Sequence, residues 1–369
     1  MRIRKVAMAA FPIILLTVLT PTVSSFANWA DNIKLKGDLR YRHEMIDTDN
    51  SDARHRHRIR ARVALDAKAN DYTKIVVQFA TGSTDPVSTN QTLTNGFSSK
   101  DVRLDLAYFQ MSCPSLPHAI FTAGKMKKPF YLPGGSELLW DSDLNPEGGA
   151  IDFKHEFDKS FIQLMASGLY IAERSKEEDS WLASGQVIAG TTLNEDKTSI
   201  AGGGGYFYYN DTKGISPFFD SDDAFGNSLD TNGNYLTDYR LIEAFVEVSH
   251  KMGEIPVVVM GDFVTNTEAD SLNTGWLAGI KVGKTKEPGS WAFRYIYREL
   301  EKDAVIGTFS DSDFRGGGTD ARGHEIGGDY QVFDNVTAKV SYFMNETGLQ
   351  LDDPEDFQRL QIDLQLKFK

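Results

Sequence analysis

The chain has 369 residues and a formal net charge of −13, with 41% apolar and 11% aromatic residues and a single cysteine. That apolar and aromatic content excludes a disordered chain, one cysteine excludes a disulfide scaffold, and the acidic balance argues against a nucleic-acid partner, whose phosphates call for a basic surface. Past the N-terminus no apolar run approaches the ~20 residues of a membrane-spanning helix.

Met1 to Ala27 reads as a secretory signal peptide. Arg2, Arg4 and Lys5 form its charged end, Val6 to Leu19 its apolar stretch, and Ser25-Phe26-Ala27 supplies small residues for cleavage. The expected mature chain is one domain, residues 28–369, and its charge becomes −16 once those three cations are removed. Export points to a bacterial envelope protein, in which the lone Cys113 has no internal partner.

From there the chain alternates with a period of two. Ile33, Leu35, Leu39 and Tyr41 interleave with Lys34, Lys36, Asp38, Arg40, Arg42 and Glu44; at the far end Leu360, Ile362, Leu364, Leu366 and Phe368 interleave with Arg359, Gln361, Asp363, Gln365 and Lys367. Successive strand side chains point to opposite faces, so each such segment has one apolar and one polar face. About 16 segments of this kind are expected, from 33–46 and 54–68 to 336–346 and 358–368, most near the ~9–11 residues of a tilted membrane strand. Connections alternate between short turns, such as 69–71, 158–159 and 333–335, and long loops at 83–99, 128–148, 211–238 and 302–321. The expected fold is all-β: a closed antiparallel transmembrane barrel with short periplasmic turns and long extracellular loops.

The second segment decides between lipid and water on its polar face. Arg54, Arg56, Arg58, Arg60 and Arg62 share one face, starting about 6.8 Å apart. Each adjacent pair repels by ~0.6 kcal/mol in water and ~2.4 kcal/mol at an effective dielectric of 20. A guanidinium at mid-bilayer costs roughly 2–4 kcal/mol. The row therefore needs water, carboxylate partners or both and lines an aqueous face, and Arg40 and Arg42 share its parity. Trp181, Trp276 and Trp291 fall at strand ends, where interfacial aromatic girdles sit.

The stretches AGKMKKPF (Ala123–Phe130), LLWDSDLNPEGGA (Leu138–Ala150), GWLAGIKVGKTKEPGSW (Gly275–Trp291), GTDARGHEIG (Gly318–Gly327) and the ending RLQIDLQLKFK follow one another in an order that resembles the "putative porin" family of Gram-negative bacteria. The resemblance spans nearly the whole mature chain. It implies an outer-membrane pore for passive diffusion of small hydrophilic solutes or ions. On the pattern of general porins it also implies a homotrimer, set among outer-membrane lipids and lipopolysaccharide and needing no cofactor. One departure is that Lys369 follows the terminal aromatic Phe368.

In general porins the loop corresponding to 128–148 narrows the lumen. Here it carries Glu137, Asp141, Asp143 and Glu147, shaped by Pro129, Pro133, Gly134, Gly135 and Pro146. The expectation is an eyelet with this acidic loop facing the Arg56–Arg62 wall across the water column. The wall favours anions, and the net charge, much of it in loops, favours cations. Other constellations are weaker. His55-x-His57 places two imidazoles on the outward face with no third ligand evident, so interfacial polarity is the simpler reading. Asp311, Asp313 and Asp320 could hold a divalent cation loosely, and an ordinary acidic loop is the simpler account. No GxSxG, HExxH or CxxC motif occurs. A barrel hydrolase acting on lipid and a secreted glycan-binding β-sheet protein remain as alternatives.

Overall fold

The computed structural model describes residues 32–49, 51–176 and 178–368; the expected signal peptide lies outside them. The first six strands are β1 (Ile33–Thr48), β2 (Ser51–Asn70), β3 (Thr73–Thr81), β4 (Gln91–Thr92), β5 (Val102–Cys113) and β6 (Leu116–Lys125). There follow β7 (Glu147–Phe157), β8 (Ser160–Ala172), β9 (Ser180–Leu193), β10 (Thr198–Tyr209), β11 (Arg240–Met252) and β12 (Ile255–Asn266). The last are β13 (Thr274–Gly283), β14 (Trp291–Leu300), β15 (Ala321–Phe333), β16 (Val336–Thr347) and β17 (Glu355–Phe368).

Every pairing is antiparallel and joins chain neighbours except β2–β4, β3–β5 and the return of β17 to β1, whose register runs from Gly37↔Phe368 to Thr48↔Phe357. The sheet thus closes on itself into a barrel of sixteen long strands, its first and last strands joined so that the seam presents no edge to hydrocarbon. The two-residue β4 is the one strand among the described residues that the period did not forecast. β3 pairs with β2 only up to Arg62, and β4 takes up the same edge at Arg58 and Ile59. Residues 82–90 leave the wall between them.

Burial is inverted relative to a soluble protein. On β17, Arg359, Gln361, Asp363 and Gln365 are 2–6% exposed, whereas Ile362, Leu364, Leu366 and Phe368 are 40–47% exposed. Apolar side chains face outward and polar ones inward, the arrangement of a barrel with lipid outside and water within. Exposed aromatics ring both ends: Tyr170, Trp181, Tyr206 and Trp276 at the long-loop rim, and Phe157, Trp291, Tyr330 and Phe368 at the short-turn rim. The short turns are tight. Asp158 and Asn335 sit at φ 47° and 61°, left-handed backbone that short polar side chains tolerate.

The interior is partly filled by its own loops. Phe130, Leu138, Leu139 and Trp140 of loop 126–146, Phe218 and Tyr235 of loop 210–239, and Val305 and Ile306 of loop 301–320 join Phe207, Leu241, Val264 and Leu277 of the wall in one buried cluster. Phe130 stacks on Trp140 at 5.2 Å and meets Phe207 edge-on at 5.2 Å.

Candidate functional site

The β1–β2 pairing, with a register shift between Ile46 and Thr48, sets Asp38 opposite Arg62, Arg40 opposite Arg60, Arg42 opposite Arg58 and Glu44 opposite Arg56. The arginine row is therefore interleaved with carboxylates on its own hairpin, a signal present in the parity of Asp38 and Glu44. Asp38 accepts from Arg60 at 3.1 Å and from Arg62 at 2.8 Å. The fully buried Glu44 pairs with Arg56 and lies 3.8 Å from Arg58. Arg42 donates to both oxygens of Asp363 on β17, at 2.7 and 2.8 Å, a fork geometry that fixes orientation as well as charge. Arg40 donates to Asn90 at 2.5 Å, and Arg58 lies 3.4 Å from the Ser88 hydroxyl, so segment 82–90 covers part of the row. Arg54 is exposed near the hairpin tip.

Loop 126–146 contacts inward-facing residues on two sides of the barrel. On one side the Tyr131 amide donates to Gln186 at 2.8 Å, Ser136 Oγ to Asp262 at 2.8 Å, and Lys281 Nζ to the Gly134 carbonyl at 2.5 Å. Gly134 is required there: its φ is 57° and a Cβ would come 1.9 Å from Met260 Sδ. On the other side Asp143 lies 3.6 Å from Arg60 and 3.8 Å from Arg62, and accepts from the Thr89 hydroxyl at 2.9 Å. Burial works against the Asp143 carboxylate, but Arg60 and Arg62 outweigh it and hold its carboxyl below the usual range. Glu147 stands apart from the other three acids: it opens β7 and pairs with Lys125 at 3.0 Å.

Glu137 and Asp141 meet Asp311 of loop 301–320, with carboxylate oxygens of the three within 4.8 Å of one another. Backbone amides of Ser142 and Ser312 donate to Glu137 and Asp141, each at 2.7 Å. Arg298 of β14 donates to Asp311 at 2.5 Å and to the Glu137 carbonyl at 2.7 Å, with its guanidinium 3.9 Å from the centre of the Phe314 ring. Burial, then the neighbouring carboxylates, push the Glu137 and Asp141 carboxyls well above their usual range. Asp313 goes the other way. Burial opposes its charge, but Arg42 at 3.3 Å and Arg359 at 3.0 Å prevail and hold it well below that range.

Between this loop and the wall of β1 and β13–β17 lies a cavity of about 350 Å³. Its cations are Arg40, Arg42, Lys281, Arg294, Arg298 and Lys339; its anions are Glu137, Asp311, Asp313, Glu325, Asp329 and Asp363. Arg40 and Arg42 are the members of the expected row that border it. Lys281, Arg294, Arg298 and Lys339 lie on strands whose alternation was legible, but nothing local marked them as neighbours of the loop.

A closed antiparallel β-barrel is what comparison with known proteins also returns. The family model described as "Putative porin" matches residues 45–232 and 247–368. The chain belongs to that family. Among solved structures this porin is similar to Pseudomonas putida OprB (TM-score 0.60, 10% identity, 92% of this chain and 95% of that one) and to Salmonella typhi OmpF (TM-score 0.54, 13% identity, 92% and 99%). It is also similar to a loop-deletion mutant of OmpT, an outer membrane protein of Vibrio cholerae (TM-score 0.50, 14% identity, 91% and 99%). At these identities the likeness is one of fold. No curated protein matches the sequence. The porin is an outer-membrane channel of a bacterium, built on a sixteen-strand barrel.

Proposed function

We propose that this porin passes small hydrophilic solutes and ions passively through the cavity beside loop 126–146, which acts as the constriction. The observation that carries the reading is the cavity itself: a polar space of about 350 Å³ inside a closed barrel, bordered by fixed charges of both signs. Water-filled passages of this kind select by width and by local charge, since charges beyond about 8–10 Å are screened. The Arg56–Arg62 wall holds the Asp143 end of the loop in place, and Arg40 and Arg42 present charge to the lumen. By analogy with general porins the assembly is a homotrimer with lipid and lipopolysaccharide on its exterior. Planar-bilayer recording tests the reading, together with swelling of liposomes in a graded sugar series. Stable ohmic steps and a sharp size cut-off are expected; absence of current from folded protein would overturn it.

Selectivity follows from protonation. With Glu137 neutral, cations outnumber anions around the cavity, which gives a weak preference for anions. The preference should fade as pH rises from the ordinary carboxylate range through the raised value of Glu137, because ionisation adds negative charge. Reversal potentials in a salt gradient at several pH values check this, and Glu137→Gln should remove most of the drift. The double change Arg58→Glu with Arg60→Glu places new carboxylates beside Asp38, Glu44 and Asp143. It should release the Asp143 end of the loop and move the reversal potential toward cations; unchanged conductance and potential would reject the constriction.

A further inference from the structure

The arginine-rich wall of the lumen is short of carboxylates at one place. Arg60 and Arg62 share Asp38 and Asp143. Asp363 and Asp313 answer Arg42 and Arg359, and Glu44 answers Arg56. Arg40 and Arg58 are left over. The nearest carboxylate to Arg40 is Asp363 at 3.7 Å, whose two oxygens already accept from Arg42. The nearest to Arg58 is Glu44 at 3.8 Å, already held by Arg56. Among the described residues no other carboxylate, Asp85 of segment 82–90 included, comes within 4.0 Å of either guanidinium. Their side chains are 12% and 13% exposed, so bulk water does little to replace a counter-charge. Arg40 stands opposite Arg60 and Arg58 opposite Arg42, which makes the two diagonal neighbours on the inner face, starting about 7–8 Å apart. Both reach into segment 82–90. Arg40 donates to the Asn90 amide oxygen at 2.5 Å, Arg58 to the Ser88 hydroxyl at 3.4 Å, and Asn90 Nδ2 lies 3.3 Å from that hydroxyl. Nε of each arginine is buried without an acceptor. Arg359 Nε is too, but its charge is met by Asp313 at 3.0 Å. Arg40 borders the cavity, so a solute reaches the pair from inside the barrel.

We propose that Arg40 and Arg58, with Ser88 and Asn90, bind a small tetrahedral oxyanion of two negative charges, of the sulfate or phosphate class. Two surplus guanidiniums match two charges, and their forked N–H groups match paired oxyanion oxygens. The Ser88 hydroxyl and the Asn90 amide supply neutral donors beside them. The site rests on the reading of the cavity as the conduction path and adds a saturable step to it: the oxyanion lodges beside the constriction and hinders chloride while it stays.

The test has two arms. Chloride current through single channels, titrated with sulfate, dianionic phosphate or acetate, should fall along a saturable curve for the two dianions, with acetate weaker by about tenfold or more. Calorimetry on the protein folded in detergent should find one sulfate per protomer. Arg40→Gln and Arg58→Gln should each raise the half-blocking concentration roughly tenfold or more, as loss of a charge-assisted hydrogen bond does. Asn90→Asp puts the absent carboxylate where Arg40 already donates. It should abolish both block and binding, while an unchanged heat-dependent gel shift verifies the barrel. Lys339→Gln removes the same charge from another strand of the cavity wall and should leave the half-blocking concentration within about twofold. Block that survives Asn90→Asp, that acetate matches, or that Lys339→Gln weakens as much as Arg40→Gln would overturn the site. One-site binding without any current would sink the channel reading and keep the site; current with neither block nor binding would sink the site and keep the channel.

Discussion

Trp140→Ala should raise single-channel conductance several-fold and make it noisy, while the barrel stays folded. Trp140 is 4% exposed and packs among Phe130, Phe207, Tyr209 and Phe309, with ring centres 5.2–6.4 Å away. Truncating a buried tryptophan to alanine costs about 3–5 kcal/mol, and every 1.4 kcal/mol is about a factor of ten in an equilibrium. Here that cost falls on the seating of loop 126–146 rather than on the wall, whose ladders Trp140 does not join. The loop's docked population should drop by two orders of magnitude or more relative to its released one, in keeping with that ratio. A heat-dependent shift on a denaturing gel, unchanged from the wild type, would verify the barrel; conductance equal to the wild type would mean that the loop does not narrow the path.

Arg298→Ala should have an effect of similar size by an electrostatic route. Arg298 is 3% exposed and joins β14 to two of the infolded loops, through Asp311 and Phe314 of one and the Glu137 carbonyl of the other. Removing one partner of a buried pair typically costs about 3–5 kcal/mol, because the other charge is left uncompensated. The charge left here is a carboxylate cluster, so the penalty depends on pH. Docking favours the protonated forms of Glu137 and Asp141, whose carboxyls are raised. Docking is therefore strongest below the ordinary carboxylate range and weakens as pH rises through the raised values. In Arg298→Ala the low-conductance, quiet state should persist only at acid pH. Conductance traces recorded from acid to alkaline pH read this directly, and pH-independent behaviour in the variant would sink the account.

The alternation of the strands, their inward and outward parity and the division into short and long connections were all legible in the sequence, because a two-residue period reports a sheet face directly. The hairpin pairing was legible only in part: continued from Thr48↔Ser51 it would set Asp38 opposite Ala61, and the register shift between Ile46 and Thr48, which no local signal marks, is what brings Asp38, Glu44 and His43 opposite Arg62, Arg56 and His57. Loop 126–146 stood out through its acids and its Pro and Gly residues. What seats it, the run Leu138-Leu139-Trp140, has no periodicity and finds its partners on β10, on β11 and in loops 210–239 and 301–320. Contacts of that kind join residues far apart in the chain, and no local pattern encodes them. The same holds for Arg298 and for Asp313, whose charges matter only because two loops turn inward.

The closure of β17 onto β1 bears on how such a chain is made. Arg42 and Asp363 are 321 residues apart, so the first strand must wait for the last before the seam can zip. A slip of one residue would swap the faces of β17, sending Arg359 and Asp363 into hydrocarbon and Ile362 and Leu364 into water. The misplaced arginine alone would cost roughly 2–4 kcal/mol at mid-bilayer. Solvent partition, more than shape, thus proofreads the final join, and the membrane itself edits the register of the strand that completes the molecule.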